Sequence, residues 1–435
     1  MSARGSRAWA LQVLHQVDQR GSFVNLALQG VLPQMPSQER ALTTELVYGV
    51  IRHQRTLDAL IAYYSGRGIH QQPPLLRRIL HLGLYQLRFL TQIPAAVAVN
   101  TSVELAKAHH LGGLSGVVNG ILRRAIRDPE LPVPGDPIQA LGVCHSYPDW
   151  LLRLWAGELP LEEVEALCVW GNQVPSLDLR VNLWRTSREE VQALLEQAGI
   201  PTAPLASSAS ALRVLGHHGD PATWPGFREG LWTIQDASAQ QVVACLDPQP
   251  GEVVVDCCAA PGGKTGHIAE KMHNQGMVYA LDQHGGRLKR IVEQAQRLRL
   301  DIIHPYQVTL GEGDWDPSGV GLPAWGTVDR VLLDVPCSGL GTLNRHADAR
   351  WRQTPATIAP LLPLQAALLE QAHRWLKPEG VLVYATCTLN RQENQDQIAR
   401  FCQTHPGWQA DTQTLWPHRH HQDGFFIARL WQQQK

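Results

Sequence analysis

The sequence predicts an all-α bundle, then a small α+β unit, then an α/β domain built on a mostly parallel sheet. Three observations predict this fold class: apolar residues spaced three and four apart through the first 130 residues, a proline-rich break at 131–137, and short apolar runs alternating with helical stretches from Gly251 onward. A chain of 435 residues is too long for one hydrophobic core, because domains cluster at ~100–200 residues. With 44% hydrophobic and 18% charged residues the composition is that of a folded chain in water, and no apolar run reaches the ~18 residues of a membrane span. Charges and polar residues interrupt Met1 to Arg20, so no signal peptide is expected and the cytoplasm is the expected location.

The bundle comes first. Leu11, Leu14 and Val17 repeat at helical spacing, as do Leu76, Ile79, Leu80 and Leu87, while Pro33, Pro36, Pro73, Pro74 and Pro94 divide the stretch into several helices. Residues 1–130 form this domain, and LPVPGDP at 131–137 serves as the linker. The α+β unit is expected over 138–235: Leu177 to Trp184 alternates as a strand, and Thr186 with Glu189 has the spacing of a capping box for a helix ending near Gly199. The α/β domain spans 236–435. Its expected strands are Val253–Val255, Met277–Leu281, Val328–Leu333 and Gly380–Ala385, with a helix around Leu361–Leu376 before the last.

Charge separates these parts. Residues 1–130 carry fourteen Arg/Lys against seven acids, a net of +7, so a whole-chain charge of −1 leaves −8 for the rest. An arginine-dominated module of this kind suits contact with phosphate, because guanidinium pairs with phosphate oxygens bidentately. The eight cysteines include no Cys-x-x-Cys pair, which points to reduced thiols rather than disulfides or a zinc knuckle. His418, His420 and His421 lack a cysteine or carboxylate partner nearby in sequence, so they read as a solvated tail and no metal is expected.

The glycine-rich turn Asp256-Cys-Cys-Ala-Ala-Pro-Gly-Gly-Lys-Thr265 lies where a doubly wound sheet places its ligand, at the carboxyl end of the domain's first strand. Gly263-Lys264-Thr265 matches the last three positions of a phosphate-binding P-loop, but Cys258 stands where that loop needs glycine, and Pro261 removes an N–H donor. No G-x-G-x-x-G of the nicotinamide folds occurs. One unit later Asp282 ends the strand YALD, where a carboxylate suits the two hydroxyls of a ribose. Loop and acid together suggest an adenosine-type ligand.

Two further strands each end in a cysteine motif. Asp334-Val-Pro-Cys337 follows RVLLD, and Ala385-Thr-Cys387 follows VLVYA. In a doubly wound sheet the first, fourth and fifth strands are neighbours, so Cys258–Lys264, Asp334–Cys337 and Cys387 should meet in one crevice.

DCCAAPGGKT, LLDVPCSGLGTLNRHADARW and YATCTLNRQENQDQI resemble the cofactor loop, the Pro-Cys motif and the Thr-Cys motif of the RNA cytosine-5 methyltransferase family, and DGFFIARL, Asp423 to Leu430, resembles its C-terminal strand. ERALTTELVYGVIR and VVNGILRR resemble the NusB-like RNA-binding domain of RsmB-type 16S ribosomal RNA methyltransferases, so the likeness covers nearly the whole chain. The resemblance implies a NusB-like bundle and a Rossmann-like catalytic domain. It also implies S-adenosyl-L-methionine as the cofactor and methylation at carbon 5 of a cytosine in 16S ribosomal RNA; separately, a monomer is expected. The cofactor would be held by Cys258, Ala259, Ala260, Pro261, Gly262, Gly263, Lys264, Asp282 and Asp334.

Such chemistry needs a thiol, because carbon 5 of cytosine is a poor nucleophile until a thiolate adds to carbon 6 and makes the ring an enamine. Carried over from the family, Cys387 is the nucleophile and Cys337 assists its release, while Asp334 can hydrogen-bond the base as charge shifts. One departure stands out. The family usually places Gly-Asp at the end of the third strand against the adenine, whereas an ungapped count arrives here at Thr309, and Asp314 could substitute only if its loop folds back. Amino-group methyltransferases typically carry Asn/Asp-Pro-Pro-aromatic where this chain has Asp334-Val-Pro-Cys337, and a non-catalytic RNA-binding factor would not need both cysteines. Transfer RNA stays open as a substrate, since the family shares these motifs.

Overall fold

The computed structural model describes residues 5–311, 313 and 316–433. Contacts divide the chain into two compact units, residues 1–173 with 346–352, and residues 174–345 with 353–435. Among the described residues no helix is long and apolar enough to cross a membrane.

The first unit is helical: α1 (Ser6–Arg20), α2 (Val24–Val31), α3 (Ser37–Arg52), α4 (Gln54–Ser65), α5 (Pro74–Phe89), α6 (Ala95–Ala108), α7 (Ser115–Arg127), α8 (Pro137–His145), α9 (Asp149–Ala156) and α10 (Leu161–Gly171). The prolines act as helix starts. Pro36, Pro73 and Pro94 stand at the N-caps of α3, α5 and α6, and Pro74 opens α5, where its missing N–H costs nothing. Leu11, Leu14, Ile79 and Leu80 are fully buried, as their spacing predicts, whereas Val17 and Leu87 only flank the core. Helices α8 to α10, which open the 138–235 stretch expected as the α+β part, cluster by their contacts with this unit. Their apolar faces, including Leu151, Trp155 and Val164, bury at helical spacing, and strand alternation starts only at Leu177. The short segment 346–352 is built into the same unit. Arg350, fully buried, donates to Asn172 Oδ1 at 2.8 Å and Gly171 O at 3.0 Å and lies 4.1 Å from the Tyr147 ring centroid.

The second unit contains two sheets. The smaller orders its strands β2-β3-β1-β4, all antiparallel: β1 (Leu177–Val181), β2 (Thr202–Pro204), β3 (Ala211–Val214) and β4 (Trp232–Ile234). Helix α11 (Arg188–Gln197) packs on it, with a capping box formed by Ser187 and Glu190, one residue later than the Thr186/Glu189 pair read from sequence. Thr186 instead donates its hydroxyl to Glu190 Oε2 at 2.7 Å.

The larger sheet orders its strands β10-β11-β9-β8-β5-β6-β7. They are β5 (Val253–Asp256), β6 (Met277–Asp282), β7 (Ile303–Gln307), β8 (Val328–Asp334), β9 (Leu376–Thr386), β10 (Trp408–Leu415) and β11 (Phe425–Gln432). Strands β5 to β9 run parallel, and β11 pairs antiparallel with both β9 and β10. The helices are α12 (Ala237–Leu246), α13 (Gly263–Lys271), α14 (Gly285–Leu298), α15 (Ala349–Arg352, in the first unit), α16 (Pro355–Ile358), α17 (Leu361–Ala372), α18 (Gln395–Thr404) and α19 (Pro417–His420). Alternation along each strand divides the core. Val254, Leu332 and Val383 pack with Val242 of α12 and Ile268 of α13, while Val255, Leu333 and Tyr384 pack with Leu368 of α17 and Ile398 of α18.

Candidate active site

Three neighbouring parallel strands bring the motifs together. Leu332 of β8 pairs with Asp256 of β5, and Asp334 of β8 pairs with Ala385 of β9, so the turns after all three strands open on one edge of the sheet. Cys337 and Cys387 follow within three residues of that register, and their sulfurs lie 3.4 Å apart. They share a cavity of about 270 Å3 with Cys257, Cys258, Ala260, Asp282, Gln283, Arg287, Val308, Leu310, Asp334, Val335, Pro336, Leu364 and Leu368.

The cofactor-loop residues divide into walls and supports. Cys258 and Ala260 face the cavity, whereas Ala259, Pro261, Gly262, Gly263 and Lys264 do not line it. Gly262 takes φ +101 at the start of α13, and a Cβ there would lie 3.1 Å from Ile291 Cγ1, so the turn tolerates only glycine. Lys264 reaches from α13 to Asp334, with Nζ donating to Oδ2 at 2.7 Å. Burial works against its ammonium, but the charge and hydrogen bond of Asp334 outweigh that, and its pKa is raised. Lys264 therefore stays charged and holds Asp334 at the cavity edge. Asp282 accepts from Ala260 N at 3.3 Å through Oδ2 and from His284 N at 2.9 Å through Oδ1, so the backbone of both turns aims its carboxylate. Arg287 binds Ala260 O at 2.6 Å and lies 3.5 Å from Asp282 Oδ2.

The electrostatics favour neutral thiols along one side. The Cys337 pKa is pushed up by its hydrogen bond with Cys387, then by burial and the nearby charges of Cys387 and Glu393. Burial, reinforced by Asp256 and Asp334, raises that of Cys258. Asp256 is itself buried, accepts from Thr265 Oγ1 at 2.7 Å, and is pushed up by that burial to about 7.

Two residues missed by the sequence reading hold these turns. Glu393 is fully buried and accepts from Ser338 N at 2.8 Å, Asn390 Nδ2 at 3.0 Å and Gln365 Nε2 at 3.1 Å, and also from the Ser338 hydroxyl. It thereby fastens the turn that carries Cys337 to the turn that carries Cys387. The same two turns meet at Gly341, whose N–H donates to Cys387 O at 2.9 Å and where a Cβ would lie 2.1 Å from Gly424 O. Arg180, on β1 and fully buried, pairs with Glu270 of α13 through bonds of 2.8 and 2.9 Å and donates to Gly263 O at 2.6 Å, which ties the small sheet to the cofactor loop. The sequence signal for Arg180 was a charge inside an alternating strand. For Glu393 it was an acid six residues past a candidate nucleophile.

The sequence leaves the adenine contact open between Thr309 and Asp314. Thr309 is exposed while its neighbours Val308 and Leu310 line the wall, because side chains alternate along the extended chain that leaves β7. Asp314 lies outside the described residues.

Known proteins resemble this chain along its length. Residues 243–431 match the 16S rRNA methyltransferase RsmB/F family, residues 4–127 the NusB family, and residues 147–218 the ferredoxin-like domain of RsmF/B-like methyltransferases. The probable ribosomal RNA small subunit methyltransferase B of Synechocystis sp. is 49% identical over 98% of this chain and 99% of its own length. The corresponding Bacillus subtilis protein is 33% identical over 99% of each chain. Among solved structures, PH0851 superposes with a TM-score of 0.79 at 26% identity over 98% of both chains. NSun6 from Pyrococcus horikoshii with SFG shares the fold at a TM-score of 0.59 and 21% identity, covering 67% of this chain and all of its own. Near-full-length identity to these ribosomal RNA methyltransferases, on a sheet that gathers both cysteine motifs, makes this chain a member of the RsmB/F family of 16S rRNA methyltransferases.

Proposed function

We propose that this protein methylates carbon 5 of a cytosine in 16S ribosomal RNA, with Cys387 as the attacking thiol and Cys337 as the group that releases the product. The observation that carries the reading is the 3.4 Å separation of the two sulfurs inside a cavity that also holds Asp282 and Asp334. One cysteine in such a pocket has the commonplace role of a small hydrophobe. Two at the ends of adjacent strands suit a reaction that both makes and breaks a carbon–sulfur bond.

The residues present fit S-adenosyl-L-methionine. Asp282 ends β6 with its carboxylate oriented by two backbone N–H groups and suits a ribose diol, while Val308, Leu310 and Val335 supply apolar walls for an adenine. When bound, that group supplies the electrophilic methyl. The protein's own residues do the rest. The Cys387 sulfur adds to carbon 6 of the cytosine, and the ring electrons move to make carbon 5 nucleophilic. Asp334, held by Lys264, stands at the cavity edge where it can accept a hydrogen bond from the exocyclic amine of the base. After methylation a base takes the carbon 5 proton, the C–H electrons re-form the carbon 5–carbon 6 double bond, and the carbon–sulfur bond breaks with its electrons returning to the Cys387 sulfur; Cys337, beside Cys387, is placed to take that proton or to position the water that does.

The test is to trap the adduct. With a 16S-derived RNA and S-adenosyl-L-methionine, Cys337→Ala should accumulate a protein–RNA complex that survives denaturing electrophoresis, and Cys387→Ser should give neither complex nor product. The reverse pattern would exchange the roles of the two thiols. Methylation by Cys387→Ser at the parent rate would end the covalent mechanism.

A further inference from the structure

We infer that Glu370, His373 and His405 form a binding site for a borderline divalent metal ion of the zinc class, on the α17/α18 side of the catalytic unit. Among the described residues these three side chains converge with one ligand atom each, all within 4.8 Å of one another. Glu370 and His373 lie three residues apart at the end of α17 and so share a helix face, while His405 caps the end of α18.

The ring orientations select nitrogen lone pairs. His405 Nδ1 lies 3.0 Å from Phe401 O, and His373 Nδ1 lies 3.4 Å from Leu369 O. A carbonyl can only accept, so a hydrogen on each Nδ1 is donated to the carbonyl four residues back, with the Thr404 hydroxyl also 3.0 Å from His405 Nδ1. In the neutral ring each Nε2 then keeps its lone pair. His405 Nε2 lies 3.2 Å from Glu370 Oε2, which brings an imidazole lone pair and a carboxylate oxygen to face each other. With a proton on Nε2 the two form an ion pair, and a metal cation in place of that proton would be held by the same carboxylate and by both ring nitrogens.

Two imidazoles with one carboxylate suit zinc, cobalt or nickel rather than magnesium or calcium, which prefer all-oxygen sites. Glu370 is half exposed and His405 about a quarter exposed, which leaves room for water at the remaining positions. Packing also fixes the His373 ring. His373 packs edge-on against Phe401 and Trp408, with ring centroids 5.3 and 5.7 Å away. Occupancy would join the ends of α17 and α18. Because Leu364 and Leu368 of α17 line the catalytic cavity, it would also stiffen that wall. Sequence spacing hides this site, since His405 is more than thirty residues from its partners and the histidine-rich stretch at 418–421 draws attention first.

The experiment uses the full-length protein stripped with a chelator and titrated with Zn2+ by calorimetry, then with Co2+ by visible absorption. The expected result is one ion per chain, a rise in thermal midpoint, and weak Co2+ bands without thiolate charge transfer. Glu370→Gln and His405→Ala change side chains that are partly exposed, and circular dichroism checks that they fold. Each should weaken binding at least tenfold. A variant with His418, His420 and His421 all replaced by alanine should bind like the parent. Retained affinity in the Glu370→Gln/His405→Ala double variant, loss of binding in the 418–421 variant, or strong thiolate charge transfer would each overturn the assignment.

Discussion

Replacing Glu393 by glutamine should separate the two cysteines without touching either. The carboxylate is fully buried and accepts at least four hydrogen bonds, from Ser338 N, the Ser338 hydroxyl, Asn390 Nδ2 and Gln365 Nε2. An amide keeps one acceptor oxygen and turns two N–H donors toward groups that are themselves donors, so about two of these bonds are lost. Bonds to a charged acceptor contribute about 1.5–3 kcal/mol each, which gives a destabilisation of roughly 3–6 kcal/mol. In a unit of this size each kcal/mol shifts the midpoint by about 2–4 °C, so scanning calorimetry should record a fall on the order of 10 °C. Catalysis carries the sharper signature. Loosening the Cys337 turn against the Cys387 turn lets the 3.4 Å sulfur contact drift, and a misplacement of about 1 Å costs on the order of a hundredfold in rate. Single-turnover methylation should slow by that factor while affinity for the cofactor, measured by calorimetry, holds within about twofold, because Asp282 and Arg287 are untouched. Glu393→Asp keeps the charge and should fall between. If Glu393→Gln melts at the parent's midpoint and turns over at the parent's rate, the clamp does not exist; if cofactor affinity falls in step with rate, Glu393 supports the fold in general and not the thiol geometry.

Arg180→Met leaves Glu270 buried without its partner and should cost about 3–5 kcal/mol in chemical denaturation, with cofactor affinity weakened as Gly263 loses its anchor; an Arg180→Met/Glu270→Met double variant should recover part of the stability, and a purely additive result would refute the pairing. Burial raises the Asp256 pKa to about 7, above its unfolded value, so the stabilisation from its retained proton is complete below about pH 4 and is lost as pH rises to about 7, at about 1.4 kcal/mol per pH unit. Asp256→Asn should therefore flatten the denaturation free energy against pH over that window and gain on the parent toward pH 8; a constant difference between the two proteins from pH 4 to 8 would show that Asp256 is ionised throughout. In the first unit, Arg350→Ala should empty the space over Tyr147 and leave Gly171 O and Asn172 Oδ1 without their donor, at a cost of roughly 3–5 kcal/mol, and thermal unfolding indistinguishable from the parent would refute that role.

Local patterns in the sequence were enough for the order of the elements and the identity of the motifs. Helical spacing from Leu11 to Leu87 depends on neighbours three and four residues away, and each proline announces its own helix start. The apolar runs that end in Asp256, Asp282 and Asp334 are strands for similarly local reasons. The convergence of Cys258, Asp334, Cys337 and Cys387 on one cavity was also legible, because the neighbour rule for doubly wound sheets turns strand order into position. What only the tertiary structure decided lies where partners are far apart in the chain. Arg180 meets Glu270 ninety residues on, and Lys264 meets Asp334 seventy residues on. Glu393 reaches back fifty-five residues to Ser338, and nothing in RQEN marks which way its carboxylate turns. The sequence groups residues 138–173 with the α+β part whereas α8 to α10 cluster with the helical unit, for the same reason: an amphipathic helix specifies that a face is buried but not against what. Thr309 is exposed because one residue of alternation faces it away from the wall that Val308 and Leu310 build. Secondary structure and motif chemistry are short-range properties that a single chain displays openly, whereas the buried charges that aim the site are chosen by long-range packing and become visible only when the chain closes on itself.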